Sequence, residues 1–167
     1  TCALPISLLR QTAKAVSDWS ADETLTMRLA EQMFFQMGNR PSESEQRSWK
    51  NSFRELSELL VDAGLGSLNM LLEYQLPYSS KRVDVVILGS NPKTESPVII
   101  AIELKQWTDA TSVEGTNEVL RIGAYGNRPI LHPACQVKNY CEYLVDFNRF
   151  AASEESRVFG VAYLHNW

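Results

Sequence analysis

Apolar residues recur at helical spacing over the first 65 positions and at strand spacing beyond them. Ser20-Ala21-Asp22-Glu23 reads as a capping box ahead of Leu25, Met27, Leu29, Met33, Phe34 and Met37, and Gly38-Asn39-Arg40-Pro41 ends that run. Ser42-Glu43-Ser44-Glu45 is a second box. Trp49, Phe53, Leu56, Leu59, Leu60 and Ala63 follow it on one stripe, and Gly64 closes the helix. After Gly66 the period changes. Residues 69–75 (NMLLEYQ), 83–88 (VDVVIL) and 98–106 (VIIAIELKQ) predict three strands, separated by the turn formers of LPYSSKR and GSNPKTESP. The polar stretch 107–131 reads as a long loop with a short helix around 116–121. Pro133 suits the first position of a helix that Ala134, Val137, Tyr140, Cys141, Leu144 and Val145 carry to about Phe150. A fourth strand is expected at 157–164. The strand–helix–strand unit needs a crossover, which places the fourth strand parallel to the third. The expected fold class is therefore α/β, with a helical extension over 1–44 and the main domain over 45–167.

Composition adds only limits. The chain has 167 residues, 44% apolar and 22% charged, which suits one globular domain. A net charge of −4 is not that of a strongly basic nucleic-acid binder, so any such contact must be local or helped by cations. The longest apolar runs are a handful of residues, which predicts no membrane span. LPISLL, followed by Arg10 and Lys14, does not read as a secretory signal. Three cysteines (Cys2, Cys135 and Cys141) form no disulfide framework and fit a reducing cytoplasm. His132 and Cys135 lack a second pair to complete a zinc site. The chain opens on Thr1 and stops on Trp167 just after a strand-like run, and it reads as a fragment of a longer protein.

The chemistry lies in IIAIELKQW, residues 99–107. A strand that looks buried carries Glu103 and Lys105 two residues apart, hence on one face. Symmetric hairpins, centred between 78 and 79 and between 93 and 94, would set Glu73 opposite Asp84 and Asp84 opposite Glu103. Opposed Cβ atoms lie roughly 4.5–5.5 Å apart. Three carboxylates that close, on aliphatic strands, would repel and be costly to desolvate. One lysine cannot balance them, but a hard divalent cation such as Mg²⁺ can, and it would bring phosphate chemistry with it. The plainer alternative is an edge-strand ion pair of Glu103 with Lys105, with Asp84 as a cap.

VDVVILG followed by VIIAIELK resembles the core of the PD-(D/E)xK nuclease superfamily, in which an Asp on one strand and an acid-x-Lys on the next form the catalytic centre. Val83 stands where that pattern has proline. Gln136 and Tyr140 match the Q-x-x-x-Y motif of the RecB-like branch. LLEYQLPYSSKRVDVVILG, IELKQW and HPACQVKNY together resemble the N-terminal nuclease-like domain of bacterial proteins that continue into a Schlafen-type, helicase-like ATPase.

The resemblance implies a restriction-endonuclease-like core of helix, three-strand antiparallel meander, helix and strand. It implies Mg²⁺, or Mn²⁺ in its place, held by Asp84, Glu103 and the backbone carbonyl of Leu104, with Glu73 as an extra acid. Lys105 would assist the attacking water, Gln136 would orient the centre, and Tyr140 would support it. An acid of the first core helix, Glu55 or Glu58, joins the site in many members. Lys81, Arg82, Lys93, Arg121, Arg128 and Lys138 are candidates for phosphate contacts. The implied activity is phosphodiester hydrolysis in DNA or RNA, leaving a 5′-phosphate, in nucleic-acid processing or defence against foreign DNA, with a C-terminal helicase-like ATPase as partner domain. The rivals are a non-cutting module that binds nucleic acid or docks the ATPase, and an interaction scaffold presenting residues 20–65.

Overall fold

The computed structural model describes residues 7–123, 126, 128–153 and 156–166. Strand β1 (Ser7–Thr12) leads into helices α1 (Ala13–Ala21), α2 (Leu25–Met37) and α3 (Glu43–Asp62). Strands β2 (Asn69–Gln75), β3 (Arg82–Ser90) and β4 (Pro97–Lys105) follow, then the short strands β5 (Thr111–Val113), β6 (Thr116–Arg121) and β7 (Pro129–Leu131). Helix α4 (Pro133–Phe147) and strand β8 (Arg157–Leu164) complete a mixed α/β fold. The main sheet has the order β1-β2-β3-β4-β8; its neighbours are antiparallel except β4 and β8, which run parallel as the crossover demands.

Local chemistry explains the boundaries of α3. The Ser42 hydroxyl accepts the Glu45 N–H at 3.1 Å, so the second capping box does cap. At the other end Gly64 adopts φ 74°, and the N–H groups of Gly64 and Leu65 return to the carbonyls of Val61 and Leu60. That pair of bonds satisfies carbonyls the helix leaves open, and it requires a left-handed residue that glycine provides without strain.

Four expectations change. Residues 7–12 are a strand rather than helix: they pair with β2, and Leu8 is buried. Six residues are too few for a period to declare itself, and the free edge of β2 decides their conformation. Ser20 is not a helix start. It lies in the last turn of α1 and donates to the Val16 carbonyl, while Asp22 takes the N–H and hydroxyl of Thr24 ahead of α2. Residues 116–121 are strand, not helix, inside a small antiparallel sheet of order β5-β6-β7. Gly115 at φ 83° turns that hairpin between Val113 and Thr116, and Glu114-Gly115 was the signal for it. Helix α4 ends at Phe147 rather than Phe150, where Asn148 turns extended. Cys2 lies outside the described residues; Cys135 and Cys141 are free thiols.

Each face of the main sheet is covered. Val16 of α1, Leu29 of α2 and Phe53 of α3 pack with Met70, Leu72, Val85, Ile87 and Ile102. On the other face Val137, Tyr140 and Leu144 of α4 pack with Val83, Val86, Ile99 and Ala101. Helix α4 approaches β8 so closely that a Cβ on Gly160 would lie 3.0 Å from Cys141 Sγ and 3.1 Å from Val137 Cγ2. Gly160→Ala should therefore cost about 1–3 kcal/mol in denaturant unfolding, and Val137→Ala in the same chain should recover part of it. A neutral Gly160→Ala would mean that α4 shifts freely.

Candidate active site

The register came out as symmetric hairpins require. Leu72↔Val85 and Tyr74↔Val83 bracket Glu73 and Asp84, and Val85↔Ile102 sets the next step at Asp84 and Glu103. Strict alternation does not survive that step. Leu72 and Val85 belong to the α3 side of the sheet, yet Tyr74 and Val83, two residues along the same strands, belong to the α4 side. Glu73 sits at the change with φ 53°, a left-handed backbone unusual for a non-glycine residue. The irregularity redirects side chains where the acids lie.

Glu103 is the deepest of them, with 3% of its side chain exposed. Its Oε1 accepts from the Lys105 ammonium and, at 2.7 Å, from Gln136 Nε2. Its Oε2 is buried with no partner. Gln136 Nε2 also lies 2.7 Å from the Tyr140 hydroxyl, so both residues of the Q-x-x-x-Y motif are joined to Glu103 from one face of α4. Asp84 Oδ2 accepts the Leu104 N–H at 2.7 Å. Lys105 is held between Glu103 and the ring of Trp107, 5.7 Å from its centroid. Asp84, Glu103, Leu104 and Lys105 line one cavity of about 380 Å³, closed by Arg47 of α3 and by Ile122 after β6.

Burial sets the electrostatics. Desolvation pushes Glu103 up to about 7, helped by the charge of Asp84 and opposed by Lys105 and Gln136. Desolvation also raises Asp84, against the Leu104 N–H, Lys105 and Arg82. The Tyr140 hydroxyl rises to about 12, chiefly by burial. These carboxylates are an unfavourable pair in an apolar setting, and Glu103 keeps one oxygen without a donor. Two hard oxygen donors fit Mg²⁺, which is commonly held by one or two carboxylates together with water and phosphate. Among the described residues, no three His, Cys, Asp or Glu side chains converge into a cage.

Glu73 shares a cavity with Asp84 and feels its charge, but its oxygens have other partners. Its Oε1 accepts from Trp49 Nε1 at 2.7 Å, and its Oε2 lies 3.2 Å from Arg82 Nη1. Burial lifts it to about 7. Arg82 bridges two acids: Nη2 donates to Glu45 at 2.8 Å, while Nη1 lies in ion-pair range of Glu73 without a hydrogen bond of its own. Of the helix acids, Glu55 pairs with Arg54 and is half-exposed. Neither Glu55 nor Glu58 lines the cavities at Asp84. The acid of α3 that reaches this end is Glu45, because α3 runs antiparallel to β2 and its first turn lies over the carboxylates. Arg121, Arg128 and Lys138 are exposed; Lys138 lies 3.7 Å from Glu142, and Arg121 precedes the cavity residue Ile122. Lys81 is exposed in the β2–β3 turn, whereas Lys93 lies in the β3–β4 turn, at the opposite end of the sheet.

The residues missed from sequence are those that fix Lys105 in place. Gln106 Nε2 donates to Ser52 Oγ at 2.9 Å and to the Ser48 carbonyl at 3.2 Å. Ser52 Oγ lies 3.0 Å from His165 Nε2, and the His165 N–H returns to the Lys105 carbonyl. His165, at the end of β8, gave no local sign of this. Among the described residues no helix is long and apolar enough to cross a membrane.

Glu73 and Glu103 hold their protons more tightly folded than unfolded, since each rises from 4.5 to about 7. The stability this contributes is fully present below about pH 4.5 and is lost as pH rises through about 7. Melting without divalent cations should therefore show falling stability over that window, and Glu103→Gln should flatten the slope. An unchanged slope in that variant would mean Glu103 is solvated.

No family model, curated protein or solved structure matches the chain, so the site rests on its own residues.

Proposed function

We propose that this domain is a metal-dependent phosphodiesterase acting on DNA or RNA. The observation that carries the reading is the buried Glu103 carboxylate, bonded to Lys105 and Gln136 on one oxygen, unpartnered on the other, and next to Asp84. A purely structural ion pair would not need a second buried acid beside it. The order α3, meander β2-β3-β4, α4 and parallel β8 supports reading the core as restriction-endonuclease-like.

Asp84 and Glu103 would hold Mg²⁺, or Mn²⁺, with the Leu104 carbonyl as a third protein donor. The bound ion would supply charge neutralisation on the phosphate and a more acidic water. The chain's own residues do the rest. Gln136 fixes the Glu103 carboxylate, and Tyr140 buttresses Gln136. Lys105 presents an ammonium where negative charge grows on the phosphate. The Asp84 bond to the Leu104 N–H keeps the two strand ends in register. Hydrolysis breaks one P–O bond and forms another to the water oxygen, and the leaving oxygen takes up a proton. A helicase-like ATPase as a following domain, and a role in nucleic-acid processing or defence in the cytoplasm, belong to the same reading by resemblance.

Single- and double-stranded DNA and RNA, incubated with Mg²⁺, Mn²⁺ or EDTA, test this directly. Metal-dependent cutting is expected. Lys105→Ala should lower the rate about 10²-fold or more while leaving the melting transition in place. Binding without cutting under every metal would assign the fold to a non-catalytic module instead.

A further inference from the structure

Asp84 borders a second cavity, which Lys105 does not line. Its volume is about 530 Å³, and it is lined by Glu45, Trp49, Glu73, Ser80 and Arg82. The charges there do not suit a phosphate. Three carboxylates, counting Asp84, face one guanidinium, and Arg82 is already engaged with Glu45 and Glu73. Carboxylate and hydroxyl acceptors suit the N–H edge of a nucleobase.

The β2–β3 turn beside this cavity presents Tyr78, 96% exposed, at φ 56°. An aromatic residue in that backbone region is strained, and it persists only where its surroundings hold it. Here they do. The Leu76 N–H bonds the Lys81 carbonyl at 3.0 Å, and the Ser79 N–H bonds the Leu76 carbonyl at 3.2 Å. Gln75 Nε2 donates to the Ser79 and Lys81 carbonyls, and the Tyr143 hydroxyl of α4 donates to the Pro77 carbonyl. The result is a braced turn that displays a bare aromatic residue two positions before Ser80, which lines the cavity, and three before exposed Lys81.

We propose that this cavity and the Tyr78 turn form a subsite for one unpaired nucleobase, so that the strand entering the site is single-stranded. The inference rests on the phosphodiesterase reading and names its substrate class. Asp84 lines both cavities, so a strand with its phosphate at Glu103 and Lys105 has a neighbouring base within reach of the second. In a duplex that base is paired and stacked and offers neither its edge nor its face. The stack on Tyr78 tolerates any base, since each has a π face.

The test is fluorescence anisotropy in EDTA, with labelled single-stranded DNA, single-stranded RNA and a blunt duplex of the same sequence. Single strands should bind more tightly than duplex. Tyr78→Ala should weaken single-strand affinity roughly five- to hundred-fold without changing duplex affinity or the melting midpoint, and Tyr78→Phe should retain it. Equal affinity for duplex, no effect of Tyr78→Ala, loss in Tyr78→Phe, or no binding to any strand would each overturn the subsite. Cleavage with Mg²⁺, run beside it, separates the two claims. Tyr78-dependent single-strand binding without cutting overturns the phosphodiesterase and keeps the subsite. Undiminished cutting of duplex by Tyr78→Ala does the reverse.

Discussion

Glu103 carries a carboxylate into the middle of the fold, and the structure around it is arranged to make that tolerable. Desolvation raises its proton affinity, and Asp84 beside it raises it further. The response comes from every layer. Lys105 answers from the same strand, Gln136 from the covering helix, and Leu104 takes up Asp84 through its N–H. Even so, one oxygen of Glu103 stays unpartnered. Arg82 Nη1 and His165 Nδ1 are likewise buried without a hydrogen bond, so the unmet polar groups gather around this end of the sheet, where functional chemistry is expected.

The neighbouring acid shows how the same physics can lead elsewhere. Glu73 is also buried and also raised to about 7, but it has an indole N–H and a guanidinium within reach. It is thereby neutralised by protein groups, and Arg82 is in turn held by Glu45. The left-handed backbone at Glu73 separates the two outcomes, because it turns one carboxylate toward α3 while Glu103 stays toward α4. Asp84 lines both the cavity that holds Glu103 and the one that holds Glu73.

Asp109 and Ile122, which flank strands of the small sheet β5-β6-β7, and the clamp of Gln106 onto α3 border the cavity from outside the core. Neither depends on strong local preference. The strands are three to six residues long and mostly exposed, so the alternation that marks a buried strand is missing. The clamp joins residues more than 50 positions apart in the sequence, from Ser52 to Gln106 and on to His165.

By itself the sequence determined the long elements, their order, the parallel fourth strand and the hairpin registers on either side of β3. Each follows from a local rule: apolar period, capping chemistry, loop symmetry, crossover geometry. It also brought Gln136 and Tyr140 to one helix face through their spacing. Tertiary structure decided what lies far apart along the chain. It made residues 7–12 a strand, because an open edge of β2 was there to pair with. It gave Glu73 the Trp49 indole and Arg82 as partners, and it brought Glu45 of α3 to Arg82. Side-chain direction at an irregular strand step, and the helix turn that lies over it, depend on packing between layers, and no local pattern encodes that.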